Sequence, residues 1–459
     1  SPTLTEAFLQ KYYDSMILQA EHIMECHSAY RYMSNWGVIE NHGLFEIGVC
    51  LPQSEKTKQF IAFAVKNLEV QVRMQIMPDG VHWEQSPMYH NEVLHCLLDV
   101  ILLAKRNGIA LPDVILRQTE KMAMADVAWL KPDHHIVMMG DSDDVDVRDR
   151  ISVAAYLFLN PVLRFGGFDR LDYESIWDLG MKAGEEYAVM ERRKPDFTSL
   201  FLEHSGNTYF RSDWSERANF LHLHSGTMGA GHGHSDKLHI DLVVNGEDVL
   251  MDGGRYTYVS GPKRFSYKDP SGHNTITVDD LPFTVCKDSW ECSKLSQPVK
   301  ENFRCMELAE FAQAGQLGYM DLPGGVYVNR KVVYIKPDLY ILVDEMYTGD
   351  CHTYQQYFHF NNHGAVTLTA PGEKKFPCVA YRGKMAEADF YFVSAQVKAE
   401  LKRGHIARHY NVEEENTVCK VTKPGDGFTS LITVIDAHPG RPLSIEKLPV
   451  RSALKQTDY

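Results

Sequence analysis

Between Gly231 and Tyr256 the chain reads GHGHSDKLHIDLVVNGEDVLMDGGRY, and SGHNTITVDD follows from Ser271. The residue types here can do two kinds of chemistry. His232 and His234 lie two apart, so on a strand they share a face. An HxH pair joined by a distant aspartate and a third histidine is a reasonable zinc set, with Asp252 and His273 as the candidates. Histidine is equally the residue of proton transfer near neutral pH. Asn245-Gly246 is a strong hairpin turn signal, with strands expected over Leu238–Val244 and Asp248–Met251. Simple pairing sets Asp252 opposite His239, so the glycine-rich segment must bend over if His234 and Asp252 are to meet. Spacing alone leaves a metal site, a catalytic site and a polar hairpin all open.

Two other stretches carry polar groups in apolar frames. SNWGVIENHGLFEIG places Asn41-His42-Gly43 inside a helical pattern, where an unsatisfied polar pair costs burial energy; the bland alternative is a kink or a capped end. In DGVHWEQSPMYHNEVLHCLL, Ser86 suits an N-cap and Pro87 the first helical position. Tyr89 and His90 then fall in the first turn, where the helix dipole favours a tyrosinate at Tyr89.

The elements that must position these residues change period part-way along the chain. EAFLQKYYDSMILQAEHIMECHSAY, EKTKQFIAFAVKNLEVQVRMQ, NEVLHCLLDVILLAKRNG and VILRQTEKMAMADVAWL have apolar residues at helical spacing. Short connections predict antiparallel helix pairs to about Glu191. Beyond that, runs such as NFLHLHSG, VYVNRKVVYIKPDLYILVDEMY and GFTSLITVID alternate or are rich in β-branched and aromatic residues. Many strands without intervening helices predict an antiparallel sandwich. The expected division is a helical part over 1–194 and a sandwich part over 195–459, which makes the fold class α+β and multidomain. A length of 459 residues also suits more than one core.

Net charge is −14, which argues against a general nucleic-acid binder. No apolar run is long enough to span a bilayer, and no signal peptide opens the sequence. Nine cysteines, an odd number without a CxxC pair, argue against a disulfide framework or a Cys-type zinc site. Oligomeric state is not legible.

Taken in order, NHG (41–43), SPMYH (86–90), GHGHSD (231–236), MDGGRYTY (251–258) and HNT (273–275) resemble the heparinase II/III superfamily of polysaccharide lyases. The resemblance implies an (α/α) toroid followed by an antiparallel β-sandwich. It also implies β-elimination on a uronate-containing polysaccharide, leaving a 4,5-unsaturated uronate. That chemistry needs the carboxylate neutralised, a base for the C5 proton and an acid for the departing 4-oxygen. By resemblance, Asn41 contacts the carboxylate, with His42. Tyr89 is the acid and, in a syn course, also the base; His90 assists it. His232 is the opposite-face base or a carboxylate partner. His234, Asp252 and His273 hold a divalent ion, expected to be Zn2+, that organises the sandwich side of the cleft. Arg211, Arg255, Tyr256 or Tyr258, Trp36 and Trp83 are candidate substrate contacts.

Only one helix precedes Asn41, so the expected toroid is incomplete at its start. Asn rather than His at position 41 resembles heparinase III-like and oligoalginate lyase-like members. The expected substrate is a glycosaminoglycan-type or related glucuronate polymer, with alginate as the alternative. The family favours a periplasmic or secreted location; the unpaired cysteines suit the cytoplasm. A cupin-like metal protein would want a glutamate where the chain has Leu238 and His239, and it leaves the helical half unexplained. A non-catalytic carbohydrate-binding protein would not need Tyr89 beside His232.

Overall fold

A computed structural model of the protein describes residues 4–369 and 376–437; the rest of the expected 195–459 part lies outside the described residues. The helical half begins with α1 (Glu6–Cys26), α2 (Asn35–Cys50), α3 (Glu55–Gln75), α4 (Pro87–Asn107) and α5 (Asp113–Trp129). It continues with α6 (Arg148–Phe158) and three short helices, α7 (Pro161–Gly166), α8 (Tyr173–Leu179) and α9 (Met181–Ala188). Local chemistry sets several of the ends. Ser54 and Thr57 form a reciprocal capping box on α3. α4 opens on Pro87 and closes on Gly108 in the left-handed region (φ 64).

The helices are held by packing more than by propensity. α4 buries Val93, Leu94, Leu97, Val100 and Ile101. Each is worth about 1.5–3 kcal/mol, against helix-propensity differences of about 0.7 kcal/mol or less per residue. Tyr89 therefore rides on a rigid, well-anchored helix. The helical core also takes in Leu202, Tyr209, Phe220 and Val243 from the first strands, which welds the two halves together.

The second half is antiparallel throughout its ladders. β1 (Leu200–Leu202), β2 (Asn207–Arg211), β3 (Phe220–His224), β4 (His239–Val244) and β5 (Glu247–Leu250) pair in sequence order. The sheet continues through strands 352–360, 412–425 and 398–409, and β6 (Ile276–Val278) also pairs with 352–360. A second sheet of eight strands packs on this one, and the two share a separate core that includes Leu221, Ile240, Val328 and Phe358. The Asn245-Gly246 turn forms as expected, with both residues at positive φ (50 and 81). A register shift between Leu242 and Val243 breaks the simple pairing. His232 and His234 are not on a strand: residues 225–238 run as turns and irregular backbone before β4. No helix among the described residues is long and apolar enough to cross a membrane.

Candidate active site

Six segments converge on a cleft of about 560 Å³ between helical and sandwich elements. The start of α4 supplies Tyr89, the loop before β4 supplies His232, and the segment after β5 supplies Tyr258. The start of α2 supplies Asn35 and Trp36, and the turn before α4 supplies Glu84. Trp290 closes the sandwich side. Trp36 and Trp290 are 57% and 52% exposed, so their faces are open to a ligand.

Tyr89 and His232 stack, with ring centroids 3.4 Å apart and planes 15° from parallel. The Tyr89 hydroxyl lies 2.8 Å from that of Tyr258. Arg255 supports this contact from behind. It donates through Nη1 to the Tyr258 oxygen at 2.7 Å, while its other nitrogens grip Asp143 at 2.7 and 2.8 Å. With Arg255 donating to its oxygen, Tyr258 can give its own proton to Tyr89, the direction that leaves the Tyr89 proton for the cleft. Burial raises the Tyr89 pKa, so the group is a neutral phenol and not the tyrosinate that the helix dipole alone would favour. Ser86 is the N-cap residue of α4, but its side chain makes no cap. Ser142 caps the helix instead, accepting from Met88 N at 3.1 Å and contacting Ser86 Oγ at 2.9 Å.

Asp141 organises the histidine pair. It is fully buried and accepts from His232 Nδ1 (3.1 Å), His234 Nε2 (2.8 Å) and both terminal nitrogens of Arg264 (2.6 and 2.9 Å). Burial alone would raise its pKa; the two histidine hydrogen bonds and Arg264 hold it well below the usual carboxylate range. An ionised carboxylate accepts only, so it places the protons on His232 Nδ1 and His234 Nε2. The lone pair of His232 is thereby on Nε2, away from Asp141. That of His234 is on Nδ1, and burial keeps this ring neutral by pulling its pKa to about 3. Gly233 between them sits so close to the Met228 carbonyl that a side chain would collide with it. This tight bend turns neighbouring histidines towards different surroundings.

His234, Asp252 and His273 are all buried, and one ligand atom from each lies within 4.8 Å of the other two. His273 Nδ1 is 2.7 Å from Asp252 Oδ2. Among the described residues, His234 Nδ1 and His273 Nε2 are buried without a hydrogen-bond partner, which is costly unless something accepts their lone pairs. The donor set therefore fits a divalent ion, with Asp141 orienting His234 from behind.

Other expected residues lie elsewhere. Asn41 is fully buried, donating to Gly37 O (2.7 Å) and facing Asn67 on α3 (3.4 Å). His42 Nε2 meets Asp99 at 2.7 Å; burial opposes its protonation, but Asp99 and Cys96 raise its pKa to about 10. Asp99 is ten residues along α4 from Tyr89, about 15 Å at the helical rise. The NHG stretch is thus mid-helix, neither a kink nor a cap, and does not line the cleft with Tyr89. His90 is buried and neutral, its pKa drawn to about 3 by burial. It accepts from His82 N and contacts Met122 O, so it anchors the turn before α4 and does not face the cleft. Tyr258 takes the cleft position; Tyr256 stacks on Tyr267. Trp83 donates to Met33 O at 2.8 Å and supports the wall. Arg211 is buried over Trp214 and Phe220 on a different cavity.

Sequence reading missed Asn35, Glu84, Asp141 and Trp290. Asn35 is the amide that α2 brings to the cleft. Its Nδ2 and backbone N–H both bond Glu84, at 2.9 and 3.1 Å. Burial raises the Glu84 pKa. Gln85, at φ 54, makes the turn that aims Glu84 at α2. The signal for Asn35 is SNW at a capped helix start, six residues before Asn41.

Residues 1–161 match the family described as Heparinase II/III N-terminus, and residues 194–438 match Heparinase II/III-like, C-terminal. The chain belongs to the heparinase II/III-like family. It is 25% identical over 311 residues to a heparin-sulfate lyase of Pedobacter heparinus, covering 63% of this chain and 43% of that protein. It is 20% identical over 445 residues to a heparin-sulfate lyase of Bacteroides stercoris, covering 92% and 61%. The crystal structure of a heparan sulfate lyase from Pedobacter heparinus superposes with a TM-score of 0.75 at 18% identity, over 96% of this chain and 66% of that one. A chondroitin AC lyase mutant of Streptomyces coelicolor gives 0.54 at 10%, over 93% and 67%. This heparinase-like chain thus combines a helical toroid-type half with an antiparallel sandwich, and it spans about two fifths to three fifths of the curated relatives it matches.

Proposed function

We propose that this chain carries the catalytic cleft of a polysaccharide lyase that breaks a uronate-containing, glycosaminoglycan-type chain by β-elimination. The observation that carries the reading is the Tyr89–His232 stack, with the Tyr89 hydroxyl fed by Tyr258 and Arg255. His232 Nε2 takes the C5 proton, the freed pair forms the C4–C5 double bond, and the C4–O4 bond breaks as Tyr89 protonates the departing oxygen. The transient phenolate is stabilised by the hydrogen bond from Tyr258 and the Arg255 charge behind it. Asn35, in place of Asn41, donates to the uronate carboxylate, braced by Glu84, whose raised pKa suits an acid beside an anionic substrate. Trp36 and Trp290 stack on sugar rings.

Zinc is the ion we propose for His234, Asp252 and His273. When bound, it supplies fixed positive charge and holds the loop of His232 to the strand end of Asp252. We further propose a helical unit over 1–194 and a sandwich unit from 195, supported by the continuous helical run ending at Ala188 and the first strand starting at Leu200; one short helix, Pro262–Lys268, lies within the sandwich half. The names of the relatives favour a heparan-type substrate over alginate. The test is a panel of uronate polysaccharides, including heparan sulfate, hyaluronan, chondroitin and alginate, monitored for ultraviolet absorbance of the unsaturated product. Absorbance with a glucuronate polymer is expected; none with any polymer contradicts the lyase reading.

A further inference from the structure

A second cavity, of about 470 Å³, opens where the α5–α6 connection, the turn after α7 and the β2–β3 connection meet. It shares no lining residue with the cleft of Tyr89. Five cationic side chains line it: Lys131, Arg148, Arg170, Arg192 and Arg211. Three have carboxylate partners. Lys131 binds Asp248 (2.8 Å) and Asp144 (3.2 Å), Arg148 chelates Asp146, and Arg192 pairs with Asp169. Arg170 and Arg211 have none within ion-pair distance among the described residues.

Arg211 is the decisive group. It is only 3% exposed, its guanidinium donates to the Leu130 carbonyl, and its flat faces lie 4.2 Å and 4.8 Å from the Trp214 and Phe220 rings. A buried cation without a counter-charge is expensive. Burial pulls its pKa to about 9, with the Asp213 charge opposing. Asp169 and Glu216 are the acids on the wall, and Asp169 is already taken by Arg192, which leaves Glu216 as the one lining acid beside Arg170 and Arg211. A planar guanidinium with free N–H groups facing a cavity matches two oxygens of one anionic group.

We propose that this cavity is a second anion site, separate from the cleft, that seats an oxyanion group, sulfate or carboxylate, against Arg211 with Arg170 at the mouth. The site does not depend on the lyase reading, because filling it needs no turnover. The test is a thermal-shift and calorimetric titration of the whole chain with sodium sulfate, against sodium chloride at equal ionic strength, which matches charge screening; the kosmotropic effect of sulfate does not saturate, so saturation separates it from binding. Saturable stabilisation by sulfate is expected. It should weaken at least about tenfold in Arg170→Ala, as befits one charge-assisted hydrogen bond, and persist in Tyr89→Phe. Arg211→Met should abolish it; if that variant does not fold, Arg170→Ala alone decides. A sulfated disaccharide binding more tightly than inorganic sulfate, with an unsulfated neutral disaccharide inert, assigns the oxyanion to a sugar; equal affinity assigns it to the free ion. No saturable response beyond chloride, or one that Arg170→Ala leaves unchanged, overturns the proposal.

Discussion

Asp141→Asn isolates the group that connects His232, His234 and the buried Arg264. The carboxylate accepts two contacts at each oxygen: His234 and Arg264 at Oδ1, His232 and Arg264 at Oδ2. An amide keeps the shape but turns one end into a donor. Whichever end carries nitrogen, one histidine and one guanidinium nitrogen lose their acceptor. Arg264 is fully buried and loses its counter-charge, a change that costs about 3–5 kcal/mol. In a chain of 459 residues, that is a fall in Tm of about 4 °C. The catalytic loss is larger. With the nitrogen at Oδ2, His232 must present its lone pair at Nδ1 and carry its proton on Nε2, where the base should be. A wrong tautomer of this kind can cost up to about 10⁴ in kcat. The assay is initial rate by product absorbance, with KM and Tm measured on the same preparation. The expected result is kcat down by at least about 10² with KM little changed. A variant with wild-type kcat and a lowered Tm would refute the tautomer argument and leave Asp141 a purely structural anchor.

Asn35→Ala should lower kcat by about 10²–10³, as for removal of one donor to a developing oxyanion. Asn41→Ala should leave kcat near wild type and cost about 1–3 kcal/mol of stability by freeing buried partners; the reverse pattern would restore Asn41 to the site. Chelation should lower Tm in the wild-type chain, with metal analysis reporting the loss of one ion, and should do nothing further in Asp252→Asn. His90 has a folded pKa of about 3 and His359 of about 4, both drawn down by burial. Each stays neutral when folded and takes a proton below about 6.5 when unfolded, so stability is fully present above that pH. It falls by up to about 1.4 kcal/mol per pH unit for each histidine as pH drops from about 6.5 towards 4. Denaturant midpoints across that range check the slope, and a flat profile contradicts it.

The helices, the strands and the Asn245-Gly246 turn were legible because each is written in local period and turn chemistry. The residues of Tyr89–His232 and of His234, Asp252 and His273 were legible through a family likeness, and the structure brings each group together. What was not legible depends on distant neighbours. Asn35 and Asn41 lie on one helix, and only the packing of α3 against α2, with Asn67 taking Asn41, decides which faces the cleft. Asn35 finds Glu84 across 49 residues, and Asp141 reaches His232 across 91 and Arg264 across 123. No periodicity encodes such pairings. Tyr89 shows the same limit: the helix start argues for an anion, but burial by residues far along the chain wins.

The central claim is that the Tyr89 hydroxyl delivers the proton that releases the product. Tyr89→Phe keeps the ring stacked on His232 and removes only that oxygen. On the polymer that the wild-type chain degrades, the account predicts a loss in kcat of at least about 10², with oligosaccharide binding retained. Wild-type product formation in Tyr89→Phe would contradict it.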